Sequence, residues 1–170
     1  MAADVAAPNP GPTTTATGVR EVPEPRAEVW RALAVLEPYC AVCDVSYVVG
    51  AADVPGVGTT FVCSPGRLDG AAPGPGAPQG EIVDWTPPRL VTTRLELTPE
   101  TWTTRIELAD TDDGGTRVTM TITHQPTGGG RVVRRLQRGA LRRLVQRTVD
   151  AELEKVPAHV ARVSDAGRGL

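Results

Sequence analysis

Three cysteines and two histidines are the side chains best suited to nucleophilic, redox or metal chemistry. Cys40 and Cys43 form a C-x-x-C motif, and the others are Cys63, His124 and His159. A thioredoxin-type redox centre places its first cysteine at the N-terminus of a helix that follows a strand, where the helix dipole lowers the thiol pKa. The pattern around Cys40 has the opposite order, with a helix before the motif and a strand after it. This order argues against redox catalysis.

A metal site or a disulfide would need the third cysteine close to the motif. Structural zinc usually takes four ligands, commonly two C-x-x-C pairs or one pair with two histidines. If the turn between the flanking strands centres on residues 53–54, Cys63 lies opposite Asp44 and beside Cys43. That placement leaves open a metal site, or a disulfide formed under oxidation. The interpretation we favour is that the cysteines are small apolar residues of a wall, and we expect no metal.

His124 is the candidate for acid/base chemistry, because it lies on the inward face of a predicted strand. Alternation places no carboxylate on that face, and no Ser-His-Asp arrangement or carboxylate pair can be assembled. The orientation of Asp84 is ambiguous from its strand pattern. His124 is therefore either a catalytic residue without an evident partner or an ordinary histidine of the core or its rim.

Length and composition predict one globular domain. The chain has 170 residues, 40% of them apolar, and a net charge of −2, so we expect no general attraction to nucleic acid. No apolar run approaches the ~20 residues of a membrane span and no signal-peptide pattern opens the chain, which predicts a cytoplasmic protein without stable membrane insertion. We expect a disordered tail at 1–12, a domain at 13–163 and a flexible tail at 164–170.

The hydrophobic periodicity predicts an α+β fold. A first strand is followed by a helix that starts near Pro25 and a second short helix that starts near Pro38. Alternating segments then predict a hairpin and further strands, and a Gly/Pro-rich stretch between them predicts a flexible loop. Residues 131–163 predict a long helix, which would cover the apolar face of an antiparallel sheet. The predicted strands span residues 13–22, 44–50, 57–64, 80–85, 89–97, 101–110 and 117–125, and the loop spans 65–80.

The inward faces of the last three strands are apolar with a few polar atoms. By alternation they carry Val91, Thr93, Leu95 and Leu97; Trp102, Thr104, Ile106 and Leu108; and Val118, Met120, Ile122 and His124. Such a surface suits either a cavity for a hydrophobic molecule or an ordinary core, and periodicity alone favours the core. If there is a cavity, its candidate residues are Tyr39, Tyr47, Phe61, Trp85, Thr93, Trp102, Thr104, Met120 and His124. Trp30 is expected to pack the first helix against the sheet.

The long helix has two apolar faces, which a straight helix cannot bury together against one sheet. One face carries Val133, Leu136, Ala140 and Leu144, and the other carries Leu141, Val145, Val149, Leu153, Val156 and Val160. We predict a kink near Gly139, or a first segment that caps a cavity mouth and forms a mobile entrance with the loop 65–80. A stripe of arginines also follows this helix: Arg131, Arg134, Arg135, Arg138 and Arg142. It is read as a solvated face, with docking of an acidic partner or headgroups as the alternative.

The chain resembles the START-related, polyketide cyclase/dehydrase-like superfamily (SRPBCC), in which a helix-grip fold wraps a curved sheet around a long C-terminal helix. The resemblance covers roughly residues 13–163. It is carried by the segments EVPEPRAEVWRAL, GVGTTF, GEIVDWTPPRLV and GGTRVTMTITHQP and by the terminal helix. Members often carry a tryptophan after the second helix, where this chain has PYCAVC.

This resemblance implies a ligand pocket between sheet and helix, and so reverses the preference for an ordinary core. The function it implies first is binding of a small hydrophobic or aromatic molecule, lipid-like or polyketide-like, without a cofactor. The alternative is a polyketide cyclase, aromatase or dehydratase that positions its substrate, with His124 as the acid/base. An interaction module that uses the arginine stripe is the third hypothesis.

Overall fold

The structure, a computed structural model, describes residues 13–34, 36–50, 54–97, 100–126 and 131–168, and the side chains within them other than those of 131–138 and 167–168. In these ranges the chain forms strands and two helices. The strands are β1 (Thr14–Val22), β2 (Tyr39–Cys40), β3 (Val45–Val49), β4 (Thr60–Pro65), β5 (Gln79–Thr86), β6 (Leu90–Leu97), β7 (Glu100–Asp110) and β8 (Thr116–Pro126). The helices are α1 (Arg26–Leu33) and α2 (Arg131–Arg168). The predicted tail at 1–12 lies outside the described residues.

The strands form one curled antiparallel sheet in the order β1-β8-β7-β6-β5-β4-β3-β2. From β2 to β8 each strand pairs with the next along the chain, and β1 returns beside β8 with Thr14 opposite His124. Hairpin connections of this kind leave one face of the sheet to be covered by helices. α2 covers that face at β1 and β8 and also contacts α1. The predicted α+β helix-grip architecture is confirmed.

Alternation in β6, β7 and β8 places side chains on the faces that the sequence predicts. Val118, Met120 and Ile122 are buried on the inner face of β8. On the outer face, Arg94 of β6 forms an ion pair with Glu81 at 3.2 Å, and Arg105 of β7 pairs with Asp84 at 3.5 Å. A register shift between residues 82 and 84 of β5 explains why the orientation of Asp84 was ambiguous: the bulge breaks the simple period of two.

The core lies where α2 crosses the sheet. Val145, Val149, Val156 and Val160 of α2 are fully buried, so the second predicted apolar face is the one that packs on the sheet. At the crossing with β1 the side chains of α2 pack directly on the strand: a Cβ on Gly18 would lie 2.5 Å from Leu153 Cδ1 and 2.8 Å from Val149 Cγ1. Any larger residue at position 18 would therefore displace the buried side chains of Leu153 and Val149.

The prediction of a second short helix is wrong. Tyr39 and Cys40 form β2, which pairs antiparallel with β3 through the turn 41–44, and Asp44 takes a left-handed conformation with φ 55°. The Tyr47 backbone N–H donates to the Pro38 carbonyl at 3.1 Å, which extends this pairing. Pairing at the sheet edge satisfies the backbone of this short segment better than an isolated helical turn would.

The long helix differs from its prediction in two further respects. It continues to Arg168, beyond the predicted end at residue 163, and Ser164 is buried. On the first predicted apolar face, Ala140 and Leu144 are exposed, while Val133 and Leu136 lie outside the described side chains. The same holds for the arginine stripe apart from Arg142, which is exposed. The kink near Gly139, the mobile entrance and the docking role of the stripe stay predictions.

Among the described residues, none of the helices combines the length and the apolar character needed to span a bilayer. Residues 66–78 connect β4 to β5 without helix or strand, as the sequence predicts. This segment borders the half of the sheet that carries β2, β3 and β4.

Candidate functional site

A cavity of about 320 Å³ lies between the inner face of the sheet and the two helices. Its wall is mainly apolar, because the inward positions of β6, β7 and β8 and the residues around α1 carry aliphatic and aromatic side chains. Protein interiors are normally close-packed, with few voids larger than a water molecule. A volume of this size is many times the space that one water molecule needs, so it can hold a small molecule. The apolar wall residues include Leu33, Leu36, Val42, Val45, Val91, Leu95, Leu97, Ile106 and Ile122.

Most of the predicted cavity residues come together in this wall. They are Tyr47, Phe61, Thr93, Trp102, Thr104 and Met120. The Tyr47 and Phe61 rings meet edge to face with centroids 5.5 Å apart. These residues share one surface because each occupies an inward position of a strand in the same curled sheet.

Tyr39 and Trp85 were also predicted to line the cavity and lie elsewhere. The Tyr39 hydroxyl donates to Asp44 Oδ1 at 2.7 Å, and its ring lies 4.0 Å below the Arg67 guanidinium. Trp85 packs edge-on against Trp30 of α1 at 4.9 Å, which confirms the expected role of Trp30. The short strand β2 turns Tyr39 outward, and the bulge in β5 places Trp85 toward α1.

His124 is buried, but it lies behind the cavity wall. Its ring contacts the Trp102 ring at 4.9 Å between centroids, and Trp102 is the residue of this pair that lines the cavity. His124 Nε2 lies 3.0 Å from Glu100 Oε2, although the angle is too poor for a hydrogen bond. The alternation pattern did not predict this carboxylate, because Glu100 is the first residue of β7 and its side chain reaches His124 from the end of the strand. The geometry therefore gives His124 no direct access to a molecule in the cavity.

Several polar groups of the cavity wall form a cluster, which we call its polar end, in addition to Glu37 and the hydroxyls of Thr93, Thr104 and Thr148 elsewhere in the lining. They come from β2 and the turn after it, from β3, and from the middle of α2. The set consists of Cys40, Cys43, Tyr47, Glu152 and His159. Such a site, apolar with a few convergent polar groups at one end, suits a molecule that has an apolar body and a polar group.

The two cysteines of the C-x-x-C motif have opposite properties. Hydrogen bonding from the Cys43 side chain, aided by the backbone N–H groups of Val42 and Cys43, lowers the pKa of Cys40 to about 6, against the desolvation that would raise it. The pKa of Cys43 is raised instead, first by its hydrogen bond to Cys40 and then by burial. Cys43 Sγ and Tyr47 Oη are 3.3 Å apart. Of the two thiols, Cys40 is therefore the one that ionises first.

Glu152 and His159 line the cavity, although the sequence analysis did not place them there. Desolvation, followed by the nearby Cys40, raises the pKa of Glu152 to about 7. His159 Nε2 lies 2.9 Å from the Ala32 carbonyl, so Nε2 carries the proton and donates it. His159 is buried, and its Nδ1 has no hydrogen-bond partner in the described part of the chain. The sequence offered one indication that these two residues face the interior: they adjoin positions 153 and 160, which belong to the apolar face of α2 that packs on the sheet.

The predicted strand register at Cys63 is wrong. β3 pairs with β4 so that Tyr47 lies opposite Cys63, whereas the sequence placed Asp44 there. The predicted turn centre did not account for the extra residues of the connection before β4, and each added residue shifts the register. The cysteines are free thiols, and the described residues contain no cluster of three or more potential metal-binding side chains. Burial raises the pKa of Cys63 to about 11, as expected for a residue of an apolar wall.

The comparisons with known proteins support this architecture at the level of fold. No protein-family model matches the chain, and no curated protein matches its sequence. Among solved structures, the aromatase/cyclase Zhui from Streptomyces sp. R1128 is similar with a TM-score of 0.65 and 15% identity, over 88% of this chain and 94% of that one. TTHA0849 from Thermus thermophilus has a TM-score of 0.62 and 19% identity, over 90% of this chain and 99% of that one.

A third similar structure is Ara h 8.0201, with a TM-score of 0.54 and 15% identity, over 85% of this chain and 98% of that one. At these identities the likeness is one of fold, and it confirms the helix-grip fold that the sequence resemblance implied. The cavity lies between the sheet and the long helix of that fold.

Proposed function

We propose that this helix-grip domain binds a small hydrophobic molecule in the cavity between its sheet and α2. The observation that carries the proposal is the cavity of about 320 Å³, which lies within the ordinary range of small-molecule sites. Its apolar walls would hold an aromatic or lipid-like body. The polar end adds a requirement for at least one hydrogen-bonding group on the ligand. Similarity in fold to an aromatase/cyclase supports a polyketide-like molecule as one class of ligand.

The polar end supports a specific orientation of the ligand. His159 Nδ1 is a lone-pair acceptor when its Nε2–H is bound to the Ala32 carbonyl. A ligand hydroxyl would donate to Nδ1, and a ligand carbonyl would accept from Glu152 while that carboxyl is protonated. Free thiols at this end are consistent with a reducing compartment, and we propose that the protein acts in the cytoplasm.

Binding is tested with the neutral fluorescent probe N-phenyl-1-naphthylamine. Thr104 lines the cavity and Thr103, on the same strand, does not, so Thr104→Phe and Thr103→Phe form a matched pair. We expect saturable binding to the unmodified chain and a Kd at least about tenfold higher in Thr104→Phe, or about 1.4 kcal/mol. Thr103→Phe should stay within about threefold. Equal effects of both substitutions, or no saturable binding, would contradict the proposal, and native mass spectrometry of the purified chain would identify a molecule that co-purifies.

Catalysis on a polyketide-like substrate is the second candidate, favoured by the fold likeness to an aromatase/cyclase and by an ionisable carboxyl inside the cavity. The hypothesis that His124 transfers the proton predicts that His124→Ala abolishes turnover. The geometry favours Glu152 instead, because it lines the cavity and has a pKa of about 7. With a poly-β-ketone analogue as substrate, we expect Glu152→Gln to abolish cyclisation and His124→Ala to retain it. The reverse result would restore His124 as the acid/base.

A further inference from the structure

The described side chains of the cavity wall that carry a full charge are acidic. They are Glu37 and Glu152, and the described residues that line the cavity include neither an arginine nor a lysine. The whole chain carries 18 basic and 20 acidic residues, so this wall departs from the balance of the protein around it. A wall with this charge attracts a positive ligand and repels a negative one.

Glu152 lies in the cavity wall without a counter-ion. Within the described part of the chain, neither a hydrogen bond nor an ion pair engages its carboxylate. The basic residue nearest to it along α2 is Lys155, which is exposed and donates to the Val42 carbonyl at 3.1 Å. Folding has thus removed water from the Glu152 carboxylate without giving it a partner. A cation that binds beside it gains the attraction at a reduced desolvation cost, because part of that cost belongs to folding.

A second observation, independent of charge, points to a ligand at the same polar end. His159 is 3% exposed and lines the cavity. Its Nε2 is engaged by the Ala32 carbonyl at 2.9 Å, and its Nδ1 has no hydrogen-bond partner in the described part of the chain. A buried acceptor normally has a donor, so we expect the ligand to bring polar hydrogens. Glu152 and His159 are seven residues apart, which places them on one side of α2, about 10.5 Å apart along its axis.

We propose that the ligand is a hydrophobic amine bound as its ammonium ion, with Glu152 as the counter-ion, and that the cavity excludes carboxylates of the same shape. This inference rests on the proposed binding function and specifies the charge of its ligand. The ionised carboxylate of Glu152 only accepts hydrogen bonds, and an ammonium group donates up to three. The apolar wall, with the rings of Tyr47, Phe61 and Trp102, holds the body of the molecule. A second polar hydrogen on that body would donate to His159 Nδ1.

The charge preference is tested with three ligands that share a naphthalene body: 1-naphthylmethylamine, 1-naphthalenemethanol and 1-naphthoate. Each displaces N-phenyl-1-naphthylamine from the reduced full-length chain at pH 8. At this pH the amine is largely protonated, and Glu152, with a pKa of about 7, is largely ionised. We expect the Kd of the amine to be at least about tenfold lower than that of the alcohol, and the Kd of the carboxylate at least about tenfold higher. An amine within about threefold of the alcohol, or tightest binding of the carboxylate, would overturn the proposal.

Substitutions identify the group that causes the preference. Glu152→Gln keeps the size of the side chain and removes its charge, so the amine and the alcohol should then bind within about threefold of each other. Glu154→Gln, exposed on the same helix, should leave the ratio of the two Kd values unchanged. Glu37→Gln should lower the ratio by less than about threefold, because Glu37 is exposed and its charge is screened by salt.

Cys40 is the remaining source of negative charge to control, since it lies in the same polar end and is the thiol of the motif that ionises first. Cys40→Ser should also lower the ratio by less than about threefold. A ratio that survives Glu152→Gln, or that is lost in Glu37→Gln or in Cys40→Ser, would overturn the assignment of Glu152 as the counter-ion.

The two proposals fail in different ways. If N-phenyl-1-naphthylamine shows no saturable binding to the unmodified chain, the binding function is overturned and the charge preference with it. If the probe binds and the alcohol displaces it as well as the amine does, the charge preference alone is overturned.

Discussion

Glu152→Gln should stabilise the protein at pH 8, although it removes a charged group from a helix. Burial raises the pKa of Glu152 from its ordinary 4.5 to about 7, and the nearby Cys40 adds to this effect. The pKa of Glu152 is higher in the folded state than in the unfolded state, so folding favours the protonated carboxyl. Below about pH 4.5 the carboxyl is protonated in both states and has no cost. As the pH rises through 7, the carboxyl ionises inside the protein and the stability of the folded state falls. At about 1.36 kcal/mol per pH unit, the full rise corresponds to a cost of about 3 kcal/mol for the ionised form.

The measured gain should be smaller than this limit, about 1–3 kcal/mol at pH 8, because local relaxation admits water to the ionised carboxyl. At pH 4 the substitution should change the stability by less than about 0.5 kcal/mol, since both side chains are then neutral. More than half of the gain should persist in a Cys40→Ser background, because desolvation is the larger cause and the charge of Cys40 the smaller.

Urea denaturation under reducing conditions at pH 4, 6 and 8 measures these differences, provided that the m-value is unchanged. Glu154→Gln is the matched control: Glu154 is exposed on the same helix, so its substitution should stay within about 0.5 kcal/mol at every pH. A gain that does not depend on pH, or a loss of stability at pH 8, would refute the assignment of Glu152 as a buried carboxyl that ionises at a cost.

Three further substitutions test the packing that builds the cavity, each by urea denaturation. Gly18→Ala should destabilise by about 1–3 kcal/mol, because its Cβ would lie 2.5 Å from Leu153 Cδ1; an unchanged midpoint would mean that α2 and β1 are not in close contact. Gly139→Ala, with open space around the new methyl group, should stabilise by about 0.5–1 kcal/mol through helix propensity, and a loss would indicate a break in the helix there. Thr116→Val should cost about 1–3 kcal/mol, since the Thr116 hydroxyl donates to the Glu24 carbonyl at 2.7 Å; a neutral result would argue that water replaces this bond.

The inward faces of β6, β7 and β8 were readable in the sequence because alternation is a local property of a strand. The placement of Thr93, Trp102, Thr104 and Met120 in one wall follows directly from it. The apolar side of α2 that packs on the sheet was readable for the same reason, through its helical period. Periodicity predicts which face of an element is buried, but it does not distinguish a filled core from a cavity. The resemblance to a ligand-binding fold favoured the cavity, and the structure contains one.

The wrong predictions of side-chain position occur where a long-range contact or an irregular backbone, and not the local hydrophobic pattern, determines which way the residue faces. Tyr39 was expected inside, but the β2–β3 pairing turns it outward to Asp44. Trp85 follows a bulge, after which parity no longer predicts the face. His124 was predicted to face inward, in the core or at its rim, and it is buried. Its position behind Trp102 could not be inferred, because two residues on one inner face can lie at different depths of a curled sheet.

The C-x-x-C motif shows most clearly which features follow from the sequence and which depend on the tertiary structure. The spacing of Cys40 and Cys43 was evident, and the order of the elements around them correctly argued against a thioredoxin-like helix. The turn that follows Cys40 includes the left-handed Asp44, and Glu152, more than a hundred residues away along the chain, lines the same cavity as Cys40. Local sequence determines faces and elements, because the forces that form them act between near neighbours. The chemistry of this cavity arises only when folding brings distant polar groups together in a low-dielectric space and shifts their pKa values.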